Sequence, residues 1–542
     1  MKYNLQLGGD CLPEHVYEKE DLIQRFDGIL DKKLEEIDNI GMFEHVLNED
    51  FKLQKGIAGA VVEQCVLGYE PDTKQEADLV VVENGVRVDT ELKVTGMRIS
   101  DKGGKHFVAK EPMSITAVGV YDLAEQTFNN SHFWNKLEHM LIVYYHYLSD
   151  SAVTPYEYKD FPIKGYEFHE FDDDDQLTLH KDWDYVHQLV KSIVKNHPGP
   201  KNKEWKDAVK KEYIDRHGSL RRFLSYIDLA PKFPPRFRLK QPTVNAIIGK
   251  HFGYELEQLP GRYTTVSDVD AKCKELTQRY KNMTIGEIAD ILEVPKLSAN
   301  GTENKGIVEQ ITVKMFGGNA KKLNQIELFE RFGLIAKSIA VTPAGGRTED
   351  MKLFHIDFEE MCQETYTDED GTTRSFLFED SELYGYFADH EFLCIIYKEP
   401  EKEYIQNPNT GKRDKVKHPL AMNRFVGFSR LVFSDDFIDT TVRALWEDTR
   451  NKILNKTLVD VINKTKDGQP KLIGSGEISS APNFMKSSQN DVFIRGGGTD
   501  SSLVHKAECV NGIKMLPQFV WIKGKSVCEQ IFLPSCDDNE EN

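Results

Sequence analysis

The sequence predicts an α/β chain of two related domains. Three observations predict it: the length, an internal repeat that keeps its order, and a strand, Asn-Gly, strand pattern inside the first copy. A single hydrophobic core rarely serves more than about 250–300 residues, so 542 residues call for at least two. The composition, 39% hydrophobic and 29% charged with 30 Phe and 21 Tyr, is that of a soluble globular protein with ample large core side chains.

The repeat opens with KGIAGAVVEQCVLG from Lys55 and KGIVEQITVKMFGG from Lys305, each an apolar helical stretch ending at glycine. Downstream, Glu91-Leu92-Lys93-Val94 has a counterpart in Ile335-Ala336-Lys337-Ser338. NKLEHMLIVYY (135–145) then parallels ADHEFLCIIYK (388–398), and HKDWDYVHQLV (180–190) parallels RALWEDTRNKI (443–453). Four weak matches in one order are far less expected by chance than any one alone. Turn residues around Leu259-Pro260-Gly261-Arg262 mark the division. The expected layout is a first domain over 1–260, a linker over 261–282, a second domain over 283–536 and an acidic tail over 537–542. The four aspartates 172–175 read as a solvated segment.

Several function classes are excluded by what is missing. No run approaches the ~18–20 apolar residues of a membrane span, and the N-terminus lacks a secretory pattern, so a cytoplasmic protein is expected. The eight cysteines have no C-x-x-C pair, which argues against zinc knuckles and a disulfide framework. No G-x-x-x-x-G-K-[ST] phosphate loop and no RRM-type aromatic-basic motif occurs. The net charge of −19 taken as a whole opposes a polyanionic partner, yet residues 201–250 hold 13 Lys and Arg against 5 Asp and Glu. That one segment is basic enough for phosphate contact.

The chemistry concentrates in DLVVVENGVRVDTELKV (78–94). Asn84-Gly85 between β-branched runs is a strong hairpin signal, and a two-residue turn there makes partner numbers sum to 169. Val82 then faces Arg87, Val80 faces Asp89, and Asp78 comes opposite Glu91. Like charges so placed repel unless compensated, and a divalent cation compensates them. Side-chain alternation puts Glu91 and Lys93 on one face and Val88, Thr90, Leu92 and Val94 on the other. Asp78 and Glu91 suit a hard Mg²⁺ ion, and Lys93 beside it could orient or deprotonate an attacking water. Glu63 is a lone acid in an otherwise apolar helix and is expected to face this site. Glu-x-Lys alone is equally the pattern of a surface hairpin with a salt bridge. The active-site reading rests on register, shared face and the acid-bearing helix together.

These residues, K-G-x-x-G-x-x-x-E at Lys55, Gly56, Gly59 and Glu63, then Asp78 and Glu91-x-Lys93, resemble the signature of the MutH-like branch of the PD-(D/E)xK nucleases. The resemblance implies a restriction-endonuclease-like fold in each copy, an α+β unit built on a mixed sheet, with Mg²⁺-dependent hydrolysis of double-stranded DNA and a supporting catalytic lysine at Lys136. It continues through LHKDWDYVHQLV to Arg216-His217-Gly218, and MTIGEIADILEVP (283–295) resembles the helical entry to the same fold. Two such domains in one chain are similar to the GATC-cutting type II restriction enzymes, in which the first copy cuts and the second binds DNA as an effector. Here the second copy lacks the acids: counted from Lys305, Val313 stands for Glu63, and Ile335 stands for Glu91.

In that family the bases are read by an arginine-proline-lysine segment, whose equivalent here is Ala230-Pro231-Lys232. The missing arginine and the absent intervening insert put GATC specificity in question. The expected DNA contacts are Lys55, Lys232, Arg236, Arg238 and Lys240 in the first domain and Arg495 and Lys523 in the second. The rival readings are a mismatch-repair nicking enzyme and a non-catalytic DNA-binding protein that kept the fold. The appended second domain favours restriction, with a monomer in solution and dimerisation on DNA left open.

Overall fold

The computed structural model describes residues 15–47, 56–69, 77–99, 106–149, 153–229, 233–346, 349–367, 373–406 and 413–531. The chain divides into two compact units. One comprises residues 1–210, 232–244 and 365–374, and the other 211–231, 245–364 and 375–542.

The first unit is built on a six-stranded mixed sheet. In chain order its main elements are β1 (Val16–Glu18), α1 (Ile57–Val61), β2 (Leu79–Glu83), β3 (Val86–Ile99), β4 (Met113–Ala117), α2 (His132–Asn135), β5 (Met140–His146), β6 (Ile163–His169), α3 (Asp173–Asn196) and β7 (Arg236–Leu239). The sheet order is β1-β2-β3-β5-β6, with Phe107–Ala109 paired to the far end of β3. β1 runs parallel to β2 and β3 parallel to β5, while the β2–β3 and β5–β6 pairs are antiparallel. β4 and β7 pair antiparallel apart from this sheet.

The β2–β3 register is the one read from the sequence: Val80 pairs with Asp89 and Val82 with Arg87. Asn84 and Gly85 supply the reason, with φ of 51° and 78°. Two successive left-handed residues make the turn whose twist matches the flanking strands. β5 is apolar along nearly its whole length because both its faces are covered, as a central strand requires. Leu92 joins a buried cluster with Ile57, Val61, Val62, Leu141 and Val143, and Val94 packs against it. The face of β3 expected to be apolar therefore lies against α1.

α1 does not end as an ordinary helix. It passes into a π-turn, Val62–Leu67, closed by Gly68 at φ 89°. The Gly68 N–H donates to the Glu63 carbonyl five residues back, at 2.8 Å. A π-turn adds one residue to a helix, and such insertions are frequent at functional sites.

The second unit holds, in chain order, α4 (Ile307–Met315), β8 (Leu334–Val341), β9 (Met351–His355), α5 (Glu382–Asp389), β10 (Glu391–Lys398), β11 (Arg424–Leu431), α6 (Arg443–Leu454), β12 (Val492–Gly496) and β13 (Gln518–Ile522). β8 runs parallel to β10, which is antiparallel to β11, and these three make one sheet. β13 lies between β9 and β12 in another, antiparallel to both. Among the described residues, no helix of the chain is long and apolar enough to cross a membrane.

Candidate active site

Glu91 is the centre of the site. It is only 2% exposed, and a buried carboxylate is costly unless paired. Two lysines pair it. Lys93 Nζ donates to Glu91 Oε1 at 2.7 Å and Lys136 Nζ to Oε2 at 2.7 Å. Lys93 reaches it because residues two apart on a strand share a face. Lys136 reaches it because β5 lies parallel beside β3, with Met140 level with Glu91, and Lys136 caps the C-terminal end of the short helix α2 just before that strand.

α2 is itself held by Ser131, a fully buried N-cap. Its Oγ accepts the Trp134 N–H at 3.0 Å and donates to the Phe128 carbonyl at 2.7 Å. Such a cap contributes about 1 kcal/mol. Here it also sets where Lys136 stands.

Asp78 sits at a bend immediately before β2. Its Oδ2 accepts the Leu92 N–H at 2.9 Å, which ties the acid to the residue next to Glu91. Burial, followed by the charge of Glu91, pushes the Asp78 carboxyl up to about 6, against the lowering influence of Lys93, Lys136 and the Leu92 N–H. The two acids are thus electrostatically coupled, as neighbours sharing one site must be. Because the folded-state value lies above the ordinary aspartate value, ionising Asp78 costs stability. Its favourable contribution is complete below about pH 4 and is lost as pH rises through about 6. Cleavage supported by this site is therefore expected to fall off below about pH 6 as Asp78 takes up a proton. A pH–rate profile at fixed divalent cation checks this, and Asp78→Glu should move the acid limb.

Glu63 is half-buried on the π-turn. It enters the site through Tyr69, the residue after the closing glycine, whose N–H donates to the Glu63 carbonyl at 3.1 Å. Burial above all, then the charges of Glu63, Asp78 and Glu91, raise the Tyr69 hydroxyl well above its ordinary value. Tyr69 and the π-turn escaped the sequence reading. The terminal glycine was the available signal, since the residue after it is the first to leave the helix. His15, which stacks on the Tyr69 ring at 4.0 Å and places Nδ1 3.0 Å from the Asp78 carbonyl, carried no sequence signal.

The donor set fits a hard divalent cation. Among the described residues no cluster of three or more His, Cys, Asp or Glu is arranged to enclose a metal by itself. Two carboxylates suffice for a cation that keeps water and takes substrate oxygens, and a buried hydroxyl beside them can serve the water. Residues 67–182 match the family model described as the DNA mismatch repair enzyme MutH. This segment is MutH-like. It contains Asp78, Glu91, Lys93 and Lys136 and begins four residues after Glu63, and the mixed sheet carrying them fits the MutH-like restriction-endonuclease fold. MutH-like nucleases of the PD-(D/E)xK kind act on DNA and generally use divalent metals. No curated protein matches the chain.

The expected DNA contacts are differently placed. Lys55 and Lys232, with Ala230 and Pro231, lie outside the described residues. Along β7, Phe237 and Leu239 are buried, so Arg236 and Arg238 share the other face. Arg236 is exposed and its Nε donates to Ser114 Oγ at 3.3 Å. Lys240 departs from the surface contact expected of it: just past the end of β7, it is a buried side chain at 6% exposure. In the second unit, Arg495 pairs with Asp350 at 2.7 Å and lies over the rings of Phe493 and Trp521. Lys523 pairs with Asp491 at 2.7 Å.

Proposed function

We propose that the chain is a Mg²⁺-dependent, site-specific endonuclease of double-stranded DNA, a type II restriction enzyme whose first copy of the repeat (1–260) cuts and whose second (283–536) binds DNA as an allosteric effector. The observation that carries the catalytic half is the convergence of Asp78, Lys93 and Lys136 on the buried Glu91. Asp78 and Glu91 would hold the cation. When bound, the cation supplies Lewis-acid stabilisation of charge on the phosphoryl oxygens. Lys93 orients the attacking water and offers a positive charge to the transition state, while Lys136 holds Glu91 in place. Two acids and two lysines sum to zero, so an incoming dication is balanced by Glu63 and the scissile phosphate. GATC or a related short site is the expected target. Digestion of methylated and unmethylated plasmid with Mg²⁺, followed by end sequencing, tests all of this. Intact plasmid under every condition would reject it.

The duplication draws support from local structure in each unit. α1 and α4 have the same entry, with Gly56 and Gly306 as N-caps at φ −86° and −90°. In the first unit Phe128 precedes the N-cap Ser131, and its ring meets Trp134 and Trp183 at 4.9 and 6.0 Å. In the second unit Phe378 precedes the N-cap Ser381, and its ring meets Tyr384 and Trp446 at 5.3 and 5.8 Å. Ser381 repeats both bonds of Ser131. Trp446 lies one residue further from its helix cap than Trp183 does, which the π-turn Ile438–Val442 accounts for. Strand pairing aligns the sites: Ile335 pairs with Phe392 as Glu91 pairs with Met140, and Lys337 with Cys394 as Lys93 with Ile142.

On this reading the second copy cannot cut. Ile335 replaces Glu91, and the Glu63 position falls at Val313 counted from the helix start or Thr312 from its end. Among the described residues, the three-stranded sheet of β8, β10 and β11 also has no counterpart of the β2 strand that follows Asp78. Pairing of β9 with β13 and of β4 with β7 sets Lys523 level with Lys240 and Trp521 with Arg238. For DNA contact, Arg236→Ala should weaken binding about 10-fold and reduce the salt slope by about 1, the signature of one lost phosphate contact. Fluorescence anisotropy across a salt series measures it.

A further inference from the structure

Tyr69 has a buried hydroxyl with no hydrogen-bond partner among the described residues. A phenol seldom gives up its hydrogen bond on burial without a reason, since a buried hydroxyl left unsatisfied bears its full desolvation cost. The surroundings supply one. The ring is clamped by stacking on His15, and the backbone is fixed by its bond to the Glu63 carbonyl. His15 in turn touches the Asp78 carbonyl. The hydroxyl is thus held on a rigid mount between the helix that bears Glu63 and the bend that bears Asp78. The charges it feels most strongly from the protein are Glu63 and Asp78, with Glu91 also acting on it. Beside three acids it keeps its proton, so it is a donor.

Its burial also limits what it can serve. A solvent-excluded hydroxyl leaves no approach for a nucleic-acid phosphate. A water molecule entering with a cation is small enough to reach it. Mg²⁺ sheds its water reluctantly and is bound through one or two carboxylates with much of its hydration retained, so the positions of those waters need donors and acceptors from the protein.

We propose that Tyr69 is a positioning residue for the divalent cation, donating its hydroxyl hydrogen to a water that enters with the ion beside Glu63 and Asp78. This rests on the nuclease reading above. It adds that cation affinity, rather than DNA affinity, is what the phenol supports. The residue stands outside the acid and lysine set and is separated from Glu63 by the π-turn that delivers both.

The test compares full-length wild type, Tyr69→Phe and Asp78→Asn. Calorimetric titration with Mn²⁺ and with Mg²⁺ is followed by thermal unfolding without metal and by plasmid cleavage across a cation series. Phenylalanine keeps the ring and its stacking, so Tyr69→Phe should unfold at the same temperature as wild type or slightly higher. Its cation affinity should fall about 10-fold, with cleavage recovering toward the wild-type kcat at saturating cation and with DNA Kd unchanged. Cation binding within two-fold of wild type would overturn the proposal. So would a lowered unfolding temperature, which would make the hydroxyl structural. If wild type binds cation and Asp78→Asn does not, the nuclease site stands whatever Tyr69 does. If wild type binds no cation and cuts no plasmid, the site reading and the role of Tyr69 fall together.

Discussion

Asp78→Asn is expected to lower DNA cleavage by on the order of 10³-fold while leaving the folded chain intact or slightly more stable. The two halves of this expectation have one cause. Asp78 is buried beside Glu91, and its carboxyl is pushed up to about 6. At pH 7.5 the native chain therefore bears the cost of keeping a second negative charge there. An amide removes that cost and can still accept the Leu92 N–H that Oδ2 now accepts at 2.9 Å. It cannot supply the charge that a divalent cation requires. Cleavage rate and thermal unfolding, measured without added metal, would separate these effects. The stability gain should disappear in saturating Mg²⁺, because the ion stabilises only the aspartate form. Wild-type cleavage by Asp78→Asn would remove Asp78 from the active site.

Glu91→Gln is expected to abolish cleavage and also to damage the fold, which distinguishes it from Asp78→Asn. Both oxygens of Glu91 are engaged at 2.7 Å by lysines that are themselves mostly buried. Neutralising the acid leaves two ammonium groups facing an amide, and breaking a buried ion pair from one side costs about 3 kcal/mol or more. Denaturant unfolding should show that loss. The double variant Glu91→Gln with Lys136→Met removes one of these two charges and should recover much of the stability, yet it should not cleave. If Glu91→Gln proved as stable as wild type, the lysine pair would contribute nothing to holding β3 against β5, and Lys136 would lose its assigned role.

Much of this site was legible because the signals are local. A two-residue turn with Asn84 and Gly85 admits one register, and strand alternation then decides which side chains share a face. The Lys93 to Glu91 contact follows from two residues on one strand. The β2–β3 register emerged as read. Lys136 is of another kind. Its contact with Glu91 spans 45 residues and depends on a parallel strand pair and on the Ser131 cap. The sequence reading reached it only through family resemblance.

What escaped was decided by packing or by small departures from regular geometry. The π-turn at Val62–Leu67 shifts the end of the helix by one residue, and no periodicity announces one extra residue in so short an apolar run. The same event at Ile438–Val442 moves Trp446 relative to its cap. Lys240 illustrates the opposite error. A basic residue in a basic segment reads as surface, yet Lys240, between the end of β7 and the helix that follows, is buried against strand alternation.

By itself, the sequence determined the hairpin and its register, and the acid and lysine of β3, Glu91 and Lys93, that share a face. Turn chemistry and alternation act over a few residues and leave little choice. Only the tertiary structure decided that Lys136 completes the pairing of Glu91, that Asp78 sits just outside its strand with a raised carboxyl, and that Tyr69 and His15 belong to the site at all. Burial and charge coupling depend on which distant segments are brought together. Those are properties of the packed chain, because each reflects the solvent and charges that the fold removes or gathers around a group.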